Sequence, residues 1–223
     1  MVLSIIGIIG GTGKLGAALG GRWSKAGHTV LIGSRDAGNA GEVARELSSR
    51  FAGKVEGRTN LDAAREADIV VSTVPFAAQD ERLKEITEAV QGKLFIDTTV
   101  PLMPPKVMLV QLPAVGSAAQ QALALLGPGV RLASAFHSVA AHKLALDIEI
   151  ACDILVFSDE KAARDEVITL VQDAGLRGLH GGALANSAAA EALTSVLIFI
   201  NKTYQVDGAG IQITGELILP SSP

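Results

Sequence analysis

Ser4-Ile5-Ile6-Gly7-Ile8-Ile9-Gly10-Gly11-Thr12-Gly13-Lys14-Leu15-Gly16 is the stretch that decides the fold. An apolar run of strand length passes directly into a glycine-rich turn, and an amphipathic stretch over Gly13–Ala26 follows. Gly11, Gly13 and Gly16 fit G-x-G-x-x-G at the junction of a strand and a helix. The first glycine permits a tight turn, the second lets backbone approach a pyrophosphate, and the third lets helix and strand pack closely. Gly10, Thr12, Lys14 and Leu15 complete the loop, and the helix start presents free N–H groups and a positive dipole end to phosphate. A P-loop is excluded, because G-x-x-x-x-G-K-[ST] is absent there.

Downstream, further apolar runs alternate with amphipathic stretches. His28–Ile32, Asp68–Val74, Lys93–Thr98, Arg131–Phe136 and Asp153–Phe157 read as strands, nearly continuous in hydrophobicity and therefore covered on both faces. Ala40–Phe51, Ala77–Val90, Ser117–Leu126 and Glu160–Ala174 read as helices between them. The alternation predicts an α/β protein: a Rossmann-like, doubly wound, mostly parallel sheet. Residues 1–180 are expected to form the dinucleotide-binding domain. Residues 181–223 are expected to form a helical segment, with one long helix from Ala183 to about Gln205 packing on that domain or on a dimer partner.

Composition sets the outer limits. The 223 residues carry a net charge of −4 and are 48% hydrophobic, ample for one packed core and unlike a disordered chain. Lys and Arg are scattered rather than clustered, which argues against nucleic-acid binding. The single Cys152, at the start of an apolar strand, predicts a core residue in a reducing cytoplasm. Val2–Ile9 lacks the basic leader of a signal peptide, and the apolar stretch Ala188–Ile200 holds Glu191 and is too short for about 30 Å of hydrocarbon. A soluble protein without membrane partners is expected. No metal site is expected, and no G-x-S-x-G elbow, H-E-x-x-H pair or paired carboxylates appear. Hydride transfer needs none of these, because the cofactor carries the reactive atom.

The second strand leads into Gly33-Ser34-Arg35, about 20 residues beyond the glycines, where an NAD site usually places Asp or Glu. A hydroxyl and a guanidinium suit a 2′-phosphate instead and predict NADP, although Asp36 offers Arg35 a local partner. Thr73-Val74-Pro75-Phe76 and Asp97-Thr98-Thr99-Val100-Pro101 leave later strands, where this fold places the inner half of a dinucleotide. Ala135-Phe136-His137-Ser138-Val139-Ala140 leaves another, and His137 there is a candidate polar or proton-shuttling group, against the simpler reading of a structural histidine in a loop.

Taken in register with Gly182-Ala183-Leu184-Ala185-Asn186-Ser187 and Glu191-Ala192-Leu193-Thr194, these motifs resemble the F420-dependent NADP oxidoreductases over essentially the whole chain. That family transfers a hydride between NADPH and the deazaflavin coenzyme F420. The resemblance implies that Thr12–Leu15 meet the pyrophosphate and Ser34 and Arg35 the 2′-phosphate. It places Val74, Pro75, Phe76 and Val100 along the inner half of the cofactor, and His137, Ser138 and Val139 beside the deazaflavin. His137 is then a polar anchor for a stacked ring, and a homodimer is expected. The chain departs from the family pattern at Asn39, at Ser138-Val139-Ala140 and over Met108–Pro128. Other readings keep the NADPH half: reduction of a flavin, metal chelate or small keto acid, or a non-catalytic NADPH-binding module. Keto-acid reduction would want a catalytic lysine on the late helix, which offers only Lys202 near its end.

Overall fold

Ile5–Ile9 forms the first strand (β1) of the protein, whose computed structural model describes residues 3–218. The chain continues through α1 (Lys14–Lys25), β2 (Thr29–Ser34), α2 (Ala37–Phe51), β3 (Val55–Thr59) and α3 (Asn60–Glu66). β4 (Ile69–Ser72), α4 (Phe76–Ile86), β5 (Leu94–Asp97), α5 (Ala118–Leu126) and β6 (Arg131–Ser134) follow. The last part holds α6 (Ala141–Leu144), β7 (Asp153–Phe157), α7 (Lys161–Asp173), β8 (Arg177–Gly182) and α8 (Ser187–Tyr204). The strands make one sheet in the order β3-β2-β1-β4-β5-β6-β7-β8, parallel throughout except between β6 and β7.

Alternation along the buried strands divides the core between the two faces of the sheet. Ile6 and Ile8 join Trp23, Ile32, Leu47 and Val167 under α1, α2 and α7, whereas Ile9 joins Leu31, Val70, Phe95 and Leu126 under α3, α4 and α5. The expected doubly wound, mostly parallel sheet is therefore the observed one. Cys152 is a free, buried thiol whose pKa burial pushes up.

Two strands, β3 and β8, and two short helices, α3 and α6, lie outside the sequence expectation. β3 reads Val-Glu-Gly-Arg-Thr and β8 reads Arg-Gly-Leu-His-Gly-Gly, neither an apolar run. Both are edge strands and only partly covered, so hydrophobic continuity is not required of them. The seven-residue α3 starts at a capping threonine, the Asp62 N–H donating to Thr59 Oγ1 at 3.1 Å.

The late helix ends at Tyr204, and the residues after it return toward the sheet. There the Asp153 N–H donates to the Ile211 carbonyl at 2.8 Å, and Ile213 N–H donates to the Asp153 carboxylate at 2.6 Å. Leu184–Tyr204 spans 21 residues and has the length and hydropathy of a membrane span, longer than Ala188–Ile200 suggested. It packs on the domain through a buried acid. Glu191 accepts from the N–H groups of Ala118 and Ala119 at 2.7 and 3.2 Å, which joins α8 to the start of α5.

Candidate functional site

In a parallel sheet of this winding, ligands sit beyond the carboxyl ends of the strands, where the chain reverses direction. Here that point lies between β1, which leads on to β2 at one side, and β4 at the other. A cleft of about 540 Å³ opens there, with Gly10, Thr12, Gly13, Lys14 and Leu15 at its floor. Ser34 and Arg35 of the β2 exit, with Asp36 and Asn39, line one end; Val74, Pro75, Ala78, Glu81 and Arg82 line the opposing wall.

The start of α1 is built to receive an anion. Gly13 is its N-cap and offers no side-chain cap, and the first turn contains no acidic residue. The leading N–H groups of the helix are thus left for a ligand. Gly10 holds φ of +70°, which suits a residue without Cβ. Gly16 is buried, and a Cβ there would lie 2.6 Å from Thr73 Oγ1 and 2.7 Å from Gly11 Cα. Helix, turn and strand close on each other only because this atom is missing. Gly11 lies at the same seam, its N–H donating to the Gly33 carbonyl at 2.9 Å.

Asn60 and Thr73 hold this loop; Thr73 heads the strand exit singled out in the sequence, whereas Asn60 was not foreseen there. Asn60, 3% exposed, accepts from the Gly10 N–H at 3.1 Å, and Thr73 Oγ1 donates to the carbonyls of Ile9 and Gly10 at 3.1 and 3.2 Å. Asparagine in a polar turn carries no motif of its own. Its partner stands 50 residues away.

At the β2 exit the local alternative for Arg35 is removed. Asp36 caps α2 instead, its carboxylate accepting from the N–H groups of Gly38 and Asn39 at 2.8 and 3.3 Å. Arg35 is exposed at the cleft and makes no hydrogen bond or ion pair among the described residues. Ser34 is buried, and its hydroxyl accepts from the Asp36 N–H at 3.2 Å. A guanidinium and a hydroxyl at one end, and uncapped N–H groups in the floor, form a donor set that fits a dinucleotide bearing a 2′-phosphate.

The other sequence candidates lie farther along the same edge. Phe76 starts α4, Val100 follows β5, and His137, Ser138 and Val139 follow β6, all outside the lining of the cleft itself. Phe136 holds φ of +65°, an uncommon conformation for a bulky residue, and its ring meets Trp23 edge-on at 5.9 Å. His137 is buried, its Nε2 lies 2.7 Å from Ser134 Oγ, and its carbonyl accepts from Thr194 Oγ1 of α8 at 2.9 Å. Burial holds its pKa down at about 4, so the ring is neutral at neutral pH. The Ser138 hydroxyl beside it is buried without a protein partner, as is that of Ser72 at the end of β4. Orphaned hydroxyls at this edge fit the placing of a polar ring system.

Two carboxyls are buried near this edge, Asp97 at the end of β5 and Glu191 on α8. Asp97 is fully buried, accepts from Thr99 Oγ1 at 2.7 Å and from Gln79 Nε2 at 3.2 Å, and is pushed up to about 6 by burial. Glu191 is pushed up to about 7, chiefly by burial and in smaller part by the Asp97 charge.

Comparison with known proteins adds the following. Residues 5–101 match the family model described as NADP oxidoreductase, coenzyme F420-dependent. A protein of Methanothermobacter marburgensis named F420-dependent NADP reductase is 40% identical over 220 residues, covering 94% of this chain and 97% of the relative. One of the same name from Methanocaldococcus jannaschii is 34% identical over 219 residues, with 94% and 97% covered. The crystal structure of an Arthrobacter sp. FB24 protein has the same fold, with a TM-score of 0.80 at 23% identity over 96% of this chain and 100% of the other.

Proposed function

The chain belongs to the coenzyme F420-dependent NADP oxidoreductase family, and from that membership we propose how its residues serve hydride transfer between NADPH and F420. It is an oxidoreductase of these two coenzymes. NADPH supplies a hydride and oxidised F420 accepts it with a proton, and the reverse transfer returns both. The protein's share is to bind, orient and exclude water.

The observation that carries the cofactor half is the uncapped start of α1 with Arg35, which has no partner among the described residues, lining the same cleft. The α1 N–H groups, with Thr12, Lys14 and Leu15, hold the pyrophosphate. Ser34 and Arg35 hold the 2′-phosphate, and Val74, Pro75, Phe76 and Val100 border the inner half. The proposed deazaflavin wall is His137, Ser138 and Val139. A ring held neutral by burial suits a polar anchor rather than an imidazolium acid. We place the enzyme in the cytoplasm as a homodimer whose second copy covers Val196, Phe199 and Tyr204 on the exposed face of α8. A sedimentation mass near 23.0 kDa, that of one chain, would remove the dimer.

The test is absorbance at 420 nm on mixing the protein with oxidised F420 and either NADPH or NADH. Rapid bleaching with NADPH and little with NADH is expected. No bleaching while NADPH still binds would keep the cofactor and overturn the acceptor. Arg35→Ala is expected to raise the NADPH Michaelis constant by one to two orders of magnitude, since hydrogen bonds to charged groups contribute about 1.5–3 kcal/mol. NADH use should barely change; equal losses for both would sink the 2′-phosphate assignment. His137→Ala is expected to raise the Michaelis constant for F420 several-fold without moving the NADPH dissociation constant. Unaltered F420 kinetics would take His137 out of the site.

A further inference from the structure

Arg82 stands on α4, across the cleft from Arg35, and the family motifs say nothing of it. Its side chain is only 12% exposed, although it projects from a helix whose neighbouring Glu81 is 76% exposed. Arg82 lines the cleft along with Ala78 and Pro75. Its protein partners are two carboxylates of its own helix: Nη1 donates to Glu85 at 2.7 Å, and Nη2 to Glu81. Ion pairs between exposed neighbours on one helix contribute little. They do not explain why a guanidinium is kept at the rim of a dinucleotide cleft.

The donor count points toward a ligand. A guanidinium has five N–H groups, and the two carboxylates engage one on each Nη. The Nε–H and the second hydrogens of both Nη atoms have no partner among the described residues. Arg82 can therefore keep its carboxylates and still present a fork of donors to a phosphate. The remaining acid at this end, Asp36, is committed to capping α2 and does not compete.

We propose that Arg82 is a second phosphate-binding guanidinium of the cleft, meeting the 2′-phosphate of NADPH from the side opposite Arg35. It is a specificity-determining residue: it favours NADPH over NADH and does not touch the reacting carbons. Glu81 and Glu85 orient it and keep its charge balanced in the free enzyme. This rests on the cofactor reading above, since it needs the adenosine end to lie between β2 and α4.

The experiment is equilibrium titration of NADPH and NADH, followed by nicotinamide fluorescence, for the parent, Arg82→Ala, Arg82→Lys and Arg35→Ala. Displacement of NADPH by 2′,5′-ADP and by ADP is read alongside. Arg82→Ala should weaken NADPH and 2′,5′-ADP about tenfold and leave NADH and ADP within twofold, with Tm nearly unchanged. Arg82→Lys should fall between, because it keeps the charge and loses the fork. Glu81→Gln with Glu85→Gln should tighten NADPH several-fold by removing two negative charges beside the bound phosphate. Equal weakening of NADPH and NADH would overturn the inference, making Arg82 a wall for the adenine. So would no change in either while Arg35→Ala still abolishes the preference, which leaves the cofactor reading standing. A parent that never prefers NADPH over NADH would overturn both together.

Discussion

Trp23→Ala is expected to lower stability by about 3–5 kcal/mol, the range for deleting a large buried aromatic side chain. Trp23 is fully buried on α1, and its indole N–H donates to the Leu170 carbonyl of α7 at 2.8 Å. Its ring also meets Phe136 edge-on, with an interplanar angle of 80°. One side chain thus joins α1, α7 and Phe136, the residue before His137. Urea denaturation reads the loss as a lower midpoint at unchanged slope. Trp23→Phe should cost much less, because the Leu170 carbonyl keeps its helical bond from the Ala174 N–H at 3.0 Å and is not orphaned. A loss below about 1.5 kcal/mol for Trp23→Ala would mean that the neighbours collapse into the space and the seam is soft. Because Phe136 holds a left-handed backbone conformation, the folded variant should also bind F420 more weakly than NADPH, relative to the parent.

Glu191→Gln is expected to change the shape of the stability–pH curve more than its height. The folded pKa of Glu191 lies near 7, above its ordinary value of 4.5, and burial is the main cause. A carboxyl raised on folding stabilises the fold below its unfolded pKa and loses that contribution as pH rises through the folded value. The window is therefore about pH 4.5 to 7, and the parent weakens across it. Glutamine does not ionise, so the variant gains on the parent by roughly 2–3 kcal/mol between pH 5 and pH 8. At this chain length that is about 5–10 °C in relative Tm. Asp97, pushed up to about 6, adds the same sign to both proteins, and His137, held near 4, adds the opposite sign to both. The difference curve reads Glu191 together with its coupling to Asp97. Parallel curves for parent and variant would show that the carboxyl ionises normally against the start of α5.

Much of the fold is written in local chemistry. The glycine turn after an apolar run, the Ser34-Arg35 pair and the proline after Val74 each depend on neighbours a few residues away, and all lie where the sheet presents a ligand. Buried central strands announce themselves by continuous hydrophobicity; the edge strands β3 and β8 do not, because one side of each meets no partner strand. The role of Asp36 was open in the sequence, where it stands beside Arg35. Only the backbone geometry of α2 turns its carboxylate onto N–H groups and leaves the guanidinium without a partner among the described residues.

By itself the sequence determined the doubly wound class and the glycine turn between the first strand and helix, since these follow from residue type and short-range spacing. Tertiary structure alone decided that Asn60 holds the turn from 50 residues away and that Glu191 docks α8 on α5 from 73 residues away. It also decided that Arg82 and Arg35, from α4 and the exit of β2, line one cleft. Such pairings are set by chain crossovers that bring distant segments together, and a linear pattern holds no record of which side chains then meet.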